Sequence, residues 1–195
     1  MSEFLPDAGS RKSEESKIPG CWIIHSTNHE DSRGAFREWF VQEEFSKISN
    51  DPLQIAQANI SFSHERVIRG LHYSLSAAGQ AKVVTCAQGE LFDVVVDLRP
   101  SSPQYLQSAT FYLSGEKPLS IIIPSGVAHG FASLKENTIV TYLLTSQYSP
   151  TEEFCINPFD QQIGIDWPTG KFILSEKDSS APSIELAKLA GTLPK

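Results

Sequence analysis

Arg69, His72 and Lys82 fall within the single stretch RGLHYSLSAAGQAK, residues 69–82. An imidazole titrates near neutral pH and can take or return a proton, while guanidinium and ammonium groups can hold an anion. On an unbroken strand Arg69 and His72, three apart, would point to opposite faces. A bulge or turn at Gly70 brings both to one site. A second imidazole, His129, follows the turn of IPSGVAHGF (123–131). TIVTYLLTSQYSPTEE (138–153) places Tyr142 among apolar neighbours, with Tyr148 and Glu153 beyond it. A buried phenol either satisfies its hydroxyl locally or, facing a pocket, donates a proton, and its pKa near 10 suits protonation of an enolate. FILSEKD (172–178) offers Lys177 and Asp178. QANIS (57–61) sets Gln57 and Asn59 on one strand face, and DSRGAFREWF (31–40) offers Arg33, Phe36 and Glu38 after a turn. Taken singly, each is equally at home as a hydrogen-bonded core histidine, a locally satisfied tyrosine or a solvated loop.

Missing motifs narrow the chemistry. There is no Walker A loop and no G-x-G-x-x-G, which disfavours P-loop and Rossmann chemistry. Neither G-x-S-x-G nor a metal-binding H-x-H or H-E-x-x-H occurs, so a serine hydrolase or a His-rich metal site is weakly signalled. The net charge of -7 argues against coating nucleic acid, though it leaves room for one anionic ligand in a locally basic pocket. No apolar run approaches the ~20 residues that span a membrane, and the charged start lacks a signal-peptide core. Cys21, Cys86 and Cys155 are odd in number and far apart, which points to a reducing, cytoplasmic setting.

The elements that must position these residues read as short strands. The 195 residues, 40% of them hydrophobic, suffice for one well-cored domain. Turn signals recur at Gly79, Gly89, Pro100, Gly115 and Pro124–Gly126. Between them lie KVVTCAQ, LFDVVVDLR, ATFYLS and LSIIIP, and TIVTYLLT follows. That rhythm predicts an all-β sandwich or barrel. Asp93 and Asp97, four apart in LFDVVVDL, share a face and suggest a polar-lined interior. Helix is expected only over Gln42–Ile48, with Phe45 and Ile48 on one face, and in IELAKLAG, ended by Gly191. Residues 1–17 read as a charged, mobile tail, and 18–195 as a single domain with a C-terminal helical appendage.

Taken together, RGLHY, QAKVV…GELFDVVVDLRPSSP, IPSGVAHGF, the TY-x5-Y-S-P pair and DWP…LSEKD resemble the nucleotide-sugar 3,5-epimerases typified by dTDP-4-dehydrorhamnose 3,5-epimerase. The match runs in order from about Ile18 to about Pro182. The resemblance implies a cupin-type jelly roll with short peripheral helices, a homodimer, no required metal or other cofactor, and a dTDP-linked keto-sugar as ligand. It also implies roles. His72 matches the general base, Asp178 the aspartate that holds it, Tyr142 the general acid and Lys82 the enolate-stabilising charge. Arg69, His129 and Lys177 match contacts to diphosphate or sugar, and Gln57 and Asn59 the Q-x-N strand. Tyr148 matches an aromatic stacked on the base, and Glu153 a nearby carboxylate. Arg33 and Glu38, with Phe36 between them, match contacts lent by the facing subunit. Ser74 departs from the pattern where a Gln is common, Thr85 where a basic residue is common, and SSPQYLQS carries Tyr105 and no Trp.

The implied activity is epimerisation at C3 and/or C5 of a dTDP-4-keto-6-deoxyhexose, as in deoxysugar biosynthesis. Related readings are a C3- or C5-only epimerase or a 3,4-ketoisomerase on a similar nucleotide sugar. A non-catalytic or metal-binding cupin that senses a small ligand is a reading of a different class.

Overall fold

The computed structural model describes residues 11–49 and 53–195. Alternation of apolar side chains builds two antiparallel sheets. The larger runs β1 (Lys12–Glu15), β2 (Trp22–His25), β10 (Leu119–Ile123), β7 (Lys82–Gln88), β12 (Thr138–Leu144), β5 (Gln57–Ser63) in spatial order. The smaller runs β13 (Glu153–Cys155), β6 (Ile68–Ser74), β11 (Val127–Ser133), β8 (Glu90–Asp97), β9 (Ser108–Ser114). A separate hairpin pairs β3 (His29–Asp31) with β4 (Gly34–Phe36). Non-sequential neighbours such as β7 between β10 and β12 give the two-sheet arrangement of a cupin jelly roll.

Three apolar layers follow from the period of two. Between the sheets lie Val84 and Cys86 of β7, Leu91 and Val95 of β8, Ile121 and Ile123 of β10, and Val140 of β12. The outer face of the smaller sheet presents Phe92, Val94 and Val96, and the C-terminal segment covers it with Ile156, Ile163 and Ile184. The outer face of the larger sheet is covered in part by Phe45 of α1 (Gln42–Ile48) and by Leu53 and flanking aromatics. Two further helices are short: α2 (Glu176–Ser179) and α3 (Ile184–Leu189). The expected helices coincide with α1 and α3, and the expected β runs with β7 to β10 and β12.

Two expectations are corrected. Lys12–Glu15, assigned to a mobile tail, pairs along its length with β2 as an edge strand; residues 1–10 lie outside the described residues. Asp93 and Asp97 do share the inward face, yet neither borders the interior cavity. Asp97 is held at the strand end by Arg99 Nε at 2.8 Å and Ser102 Oγ at 2.6 Å.

Candidate active site

At one end the sheets stand apart where polar side chains replace the aliphatic filling. The cavity there measures about 320 Å³, within the usual range for small-molecule sites. Its walls come from both sheets: His72, Arg69 and His129 from the smaller one, and Tyr142, Lys82, Gln57 and Asn59 from the larger. Tyr148, Glu153, Lys177 and Asp178 complete it. Of the candidate catalytic and ligand-contact residues singled out in the sequence, Arg33, Phe36 and Glu38 lie elsewhere, as do Asp93 and Asp97 of the expected polar lining. Arg33 and Phe36 border a depression on the β3–β4 hairpin.

Gly70 explains how Arg69 and His72 reach one cavity. Ile68 and Leu71, three apart on β6, both pack into the outer layer, so alternation slips by one between them. The register against β11 shifts at the same place, between His129 and Phe131. Gly70 has φ +139°, and a Cβ there would sit 2.5 Å from the Cα of Gly130. A side chain fits neither the backbone angle nor the space.

His72 Nε2 lies 2.6 Å from Asp178 Oδ1. Asp178 is buried, 3% exposed, although its segment reads as a solvated loop. Ser175 caps α2 by accepting from the Asp178 amide at 3.0 Å, which turns the chain so that the carboxylate faces β6. Burial opposes ionisation of Asp178. The hydrogen bond and charge of His72, with help from the Gly70 amide and Ser175, outweigh it and hold the carboxyl below its usual pKa. Asp178 is therefore an anion at neutral pH. Facing Nε2, the carboxylate selects the tautomer in which Nε2 carries the proton whenever the ring is neutral, which leaves the lone pair on Nδ1.

A second His–Asp pair stands beside the first. His129 is the direct cross-strand partner of His72. Its Nε2 lies 2.7 Å from Oδ2 of the fully buried Asp93. An isolated carboxylate at this depth would cost several kcal/mol, so His129 is the group that allows Asp93 to be there. The other oxygen of Asp93 has no hydrogen-bond partner among the described residues. The shared face of Asp93 and Asp97 was the only sequence signal for this pair. Residues 93 and 129 are joined through the β8–β11 pairing.

Lys82 is buried, and Nζ donates to the His72 carbonyl at 3.2 Å, reaching from one sheet to the other. Burial brings its pKa down to about 8, while Glu153 and Asp93 act to keep it protonated. Glu153 is held by Gln80 Nε2 at 2.8 Å. The pKa of Tyr142 is raised by burial and by Glu153, against the lowering effects of Arg69 and Asn59, so the phenol keeps its proton at neutral pH. Gln80, Phe131, Phe154 and Ser175 also line the cavity. None was singled out in the sequence, although Gln80, Phe131 and Ser175 sit within the motifs. Among the described residues no group of three His, Cys, Asp or Glu side chains is arranged to hold a metal ion.

Residues 15–185 match the sequence model of dTDP-4-dehydrorhamnose 3,5-epimerase. The chain belongs to that family. Membership makes it an epimerase, and so an isomerase. The dTDP-4-dehydrorhamnose 3,5-epimerase of Mycobacterium tuberculosis is 38% identical over 187 residues, covering 94% of this chain and 93% of that protein. The dTDP-4-dehydrorhamnose 3-epimerase of Streptomyces niveus is also 38% identical, covering 91% and 86%. Among solved structures, the dTDP-6-deoxy-D-glucose-3,5-epimerase of Legionella pneumophila, in complex with dTDP-4-keto-L-rhamnose, superposes with a TM-score of 0.89. It is 37% identical, covering 95% of this chain and 98% of that one. No helix among the described residues is long and apolar enough to cross a membrane.

Proposed function

We propose that this protein epimerises a dTDP-linked 4-keto-6-deoxyhexose at C3 and C5, acting as a homodimer without a cofactor. One observation carries the reading. His72 and Tyr142 stand on opposite sheets and border the same cavity, so a sugar ring between them meets a base on one face and an acid on the other.

The chemistry follows from the groups present. A ketone at C4 acidifies the C–H bonds on either side of it. His72 removes one of these protons through Nδ1, and the imidazolium that forms is stabilised by the Asp178 carboxylate. Negative charge moves to the C4 oxygen, where the Lys82 cation offsets it in a site shielded by both sheets. Tyr142 then returns a proton from the other face, and the ketone re-forms with the carbon inverted. Arg69 and Lys177 give the diphosphate local positive charge within an acidic protein.

The equal identity to a 3-epimerase supports a second reading, inversion at C3 alone. Incubation with dTDP-4-keto-6-deoxyglucose in heavy water separates the two. Deuterium at C3 and C5 of the inverted product is expected, label at C3 only establishes the second reading, and migration of the keto group would overturn both. His72→Ala is expected to abolish label uptake, and Tyr142→Phe to retain uptake with little inversion. Uptake at the wild-type rate in the first variant, or full inversion in the second, removes that residue from its role.

A further inference from the structure

We infer that Ser63 is a positioning residue for ligand binding: together with the Phe62 carbonyl it holds one edge of the Arg69 guanidinium, so that the other edge is presented to the diphosphate. The inference rests on Arg69 being a diphosphate contact.

A guanidinium has two edges that can grip a pair of oxygens. One is made by the N–H of Nε and an N–H of Nη2, the other by Nη1 and the second N–H of Nη2. In Arg69 the first edge is taken. Nε donates to Ser63 Oγ at 3.1 Å, and Nη2 donates to the Phe62 carbonyl at 3.0 Å. Among the described residues no hydrogen bond engages Nη1. Arg69 lines the cavity, so the Nη1–Nη2 edge is the one a phosphate there can meet, through two N–H groups at once.

Both acceptors belong to β5 and Arg69 to β6, so the guanidinium reaches from the smaller sheet to the larger. β5 is the last strand of the larger sheet. An edge strand leaves carbonyls without a strand partner, and that of Phe62 takes the guanidinium. Ser63 is 4% exposed and lies on a strand paired along its length with β12, so its hydroxyl is a fixed acceptor. Arg69 itself is exposed. A solvated arginine that is free to turn loses rotamer freedom when a ligand fixes it, and one already held has less to lose. Ser63 does not line the cavity, so it acts on binding through Arg69.

The test measures the dissociation constant of dTDP by calorimetry for the wild type, Ser63→Ala, Arg69→Ala and the double variant, with a melting curve for each. In Ser63→Ala the constant is expected to rise roughly 5-fold, the scale of one lost hydrogen bond. KM for dTDP-4-keto-6-deoxyglucose should rise with it, by a larger factor than kcat falls. Adding Ser63→Ala to Arg69→Ala should weaken binding no further, because the hydroxyl then has no guanidinium to hold. Ser63→Cys keeps nearly the same volume with a weak sulfur acceptor. It should lose affinity in the same direction, and it carries the test if Ser63→Ala does not fold.

Wild-type affinity in the folded Ser63 variants overturns the inference. So does a double variant weaker than Arg69→Ala by the full Ser63→Ala factor, which would make Ser63 a support of the cavity at large. Wild-type affinity in Arg69→Ala would remove Arg69 from the diphosphate, and the positioning role falls with that contact. Label uptake in heavy water by the same Arg69→Ala protein reports separately on the epimerase chemistry.

Discussion

Lys82 is the residue whose environment sets a pH limit. Its ammonium is taken out of water where, in the proposed reaction, it would face an enolate oxygen, and the same burial that strengthens its field weakens its hold on the proton. With the pKa brought down to about 8, the cation is present below that pH and is lost as pH rises through it. The kcat/KM profile should therefore turn down above about pH 8. Glu153 is the leading charge that keeps Lys82 protonated, so Glu153→Gln should move the turn to lower pH. Lys82→Arg, with a guanidinium that stays charged, should remove the turn even if the rate at neutral pH falls. An alkaline limb unchanged in both variants would assign it to some other group.

Gly70 acts at the scale of the strand. Its positive φ lets β6 slip by one residue, and the missing Cβ lets β6 and β11 meet at Gly130. Gly70→Ala should cost at least ~1–3 kcal/mol of stability, the range for a forced backbone conformation, and should lower activity further by parting Arg69 from His72. A melting curve and label uptake measured on one preparation check both effects; a variant with native stability and rate would show that the slip does not depend on glycine. This element was legible in the sequence, because Arg69 and His72 three apart can share a face only if alternation breaks between them. The long strands were legible for the related reason that five to eight residues of β-rich, turn-bounded sequence declare themselves. The α2 turn was not. Four residues carry no period, and the burial of Asp178 depends on the Ser175 cap and on β6, more than a hundred positions away in sequence. The Asp93–His129 pair was half legible: alternation gave the inward face, but the partner is fixed by strand pairing. Lys12–Glu15 was misread because edge strands carry charge on both faces, and such a stretch looks like a solvated tail.

The whole molecule leaves Arg33, Phe36 and Glu38 unaccounted for within one chain. Arg33 and Phe36 project from a hairpin outside both main sheets, Phe36 is 57% exposed, and none of the three borders the cavity. A hairpin presenting an arginine and an aromatic ring suits a nucleotide held partly by a second copy of the chain, which is the arrangement the family resemblance implies. In a symmetric dimer each site would then draw its base from one subunit and its hairpin from the other. This can be read out by mixing two impaired proteins. His72→Asn lacks the base but keeps a sound hairpin, and Arg33→Ala with Phe36→Ala lacks the hairpin groups but keeps the base. Unfolded together and refolded at equal concentration, they should regain roughly a quarter of wild-type activity, because half the dimers are mixed and each mixed dimer has one intact site. Sedimentation should give a species of twice the 21.5 kDa chain mass. If every site used its own hairpin, no mixed dimer would contain an intact site, and the refolded mixture would show only the mean of its two components.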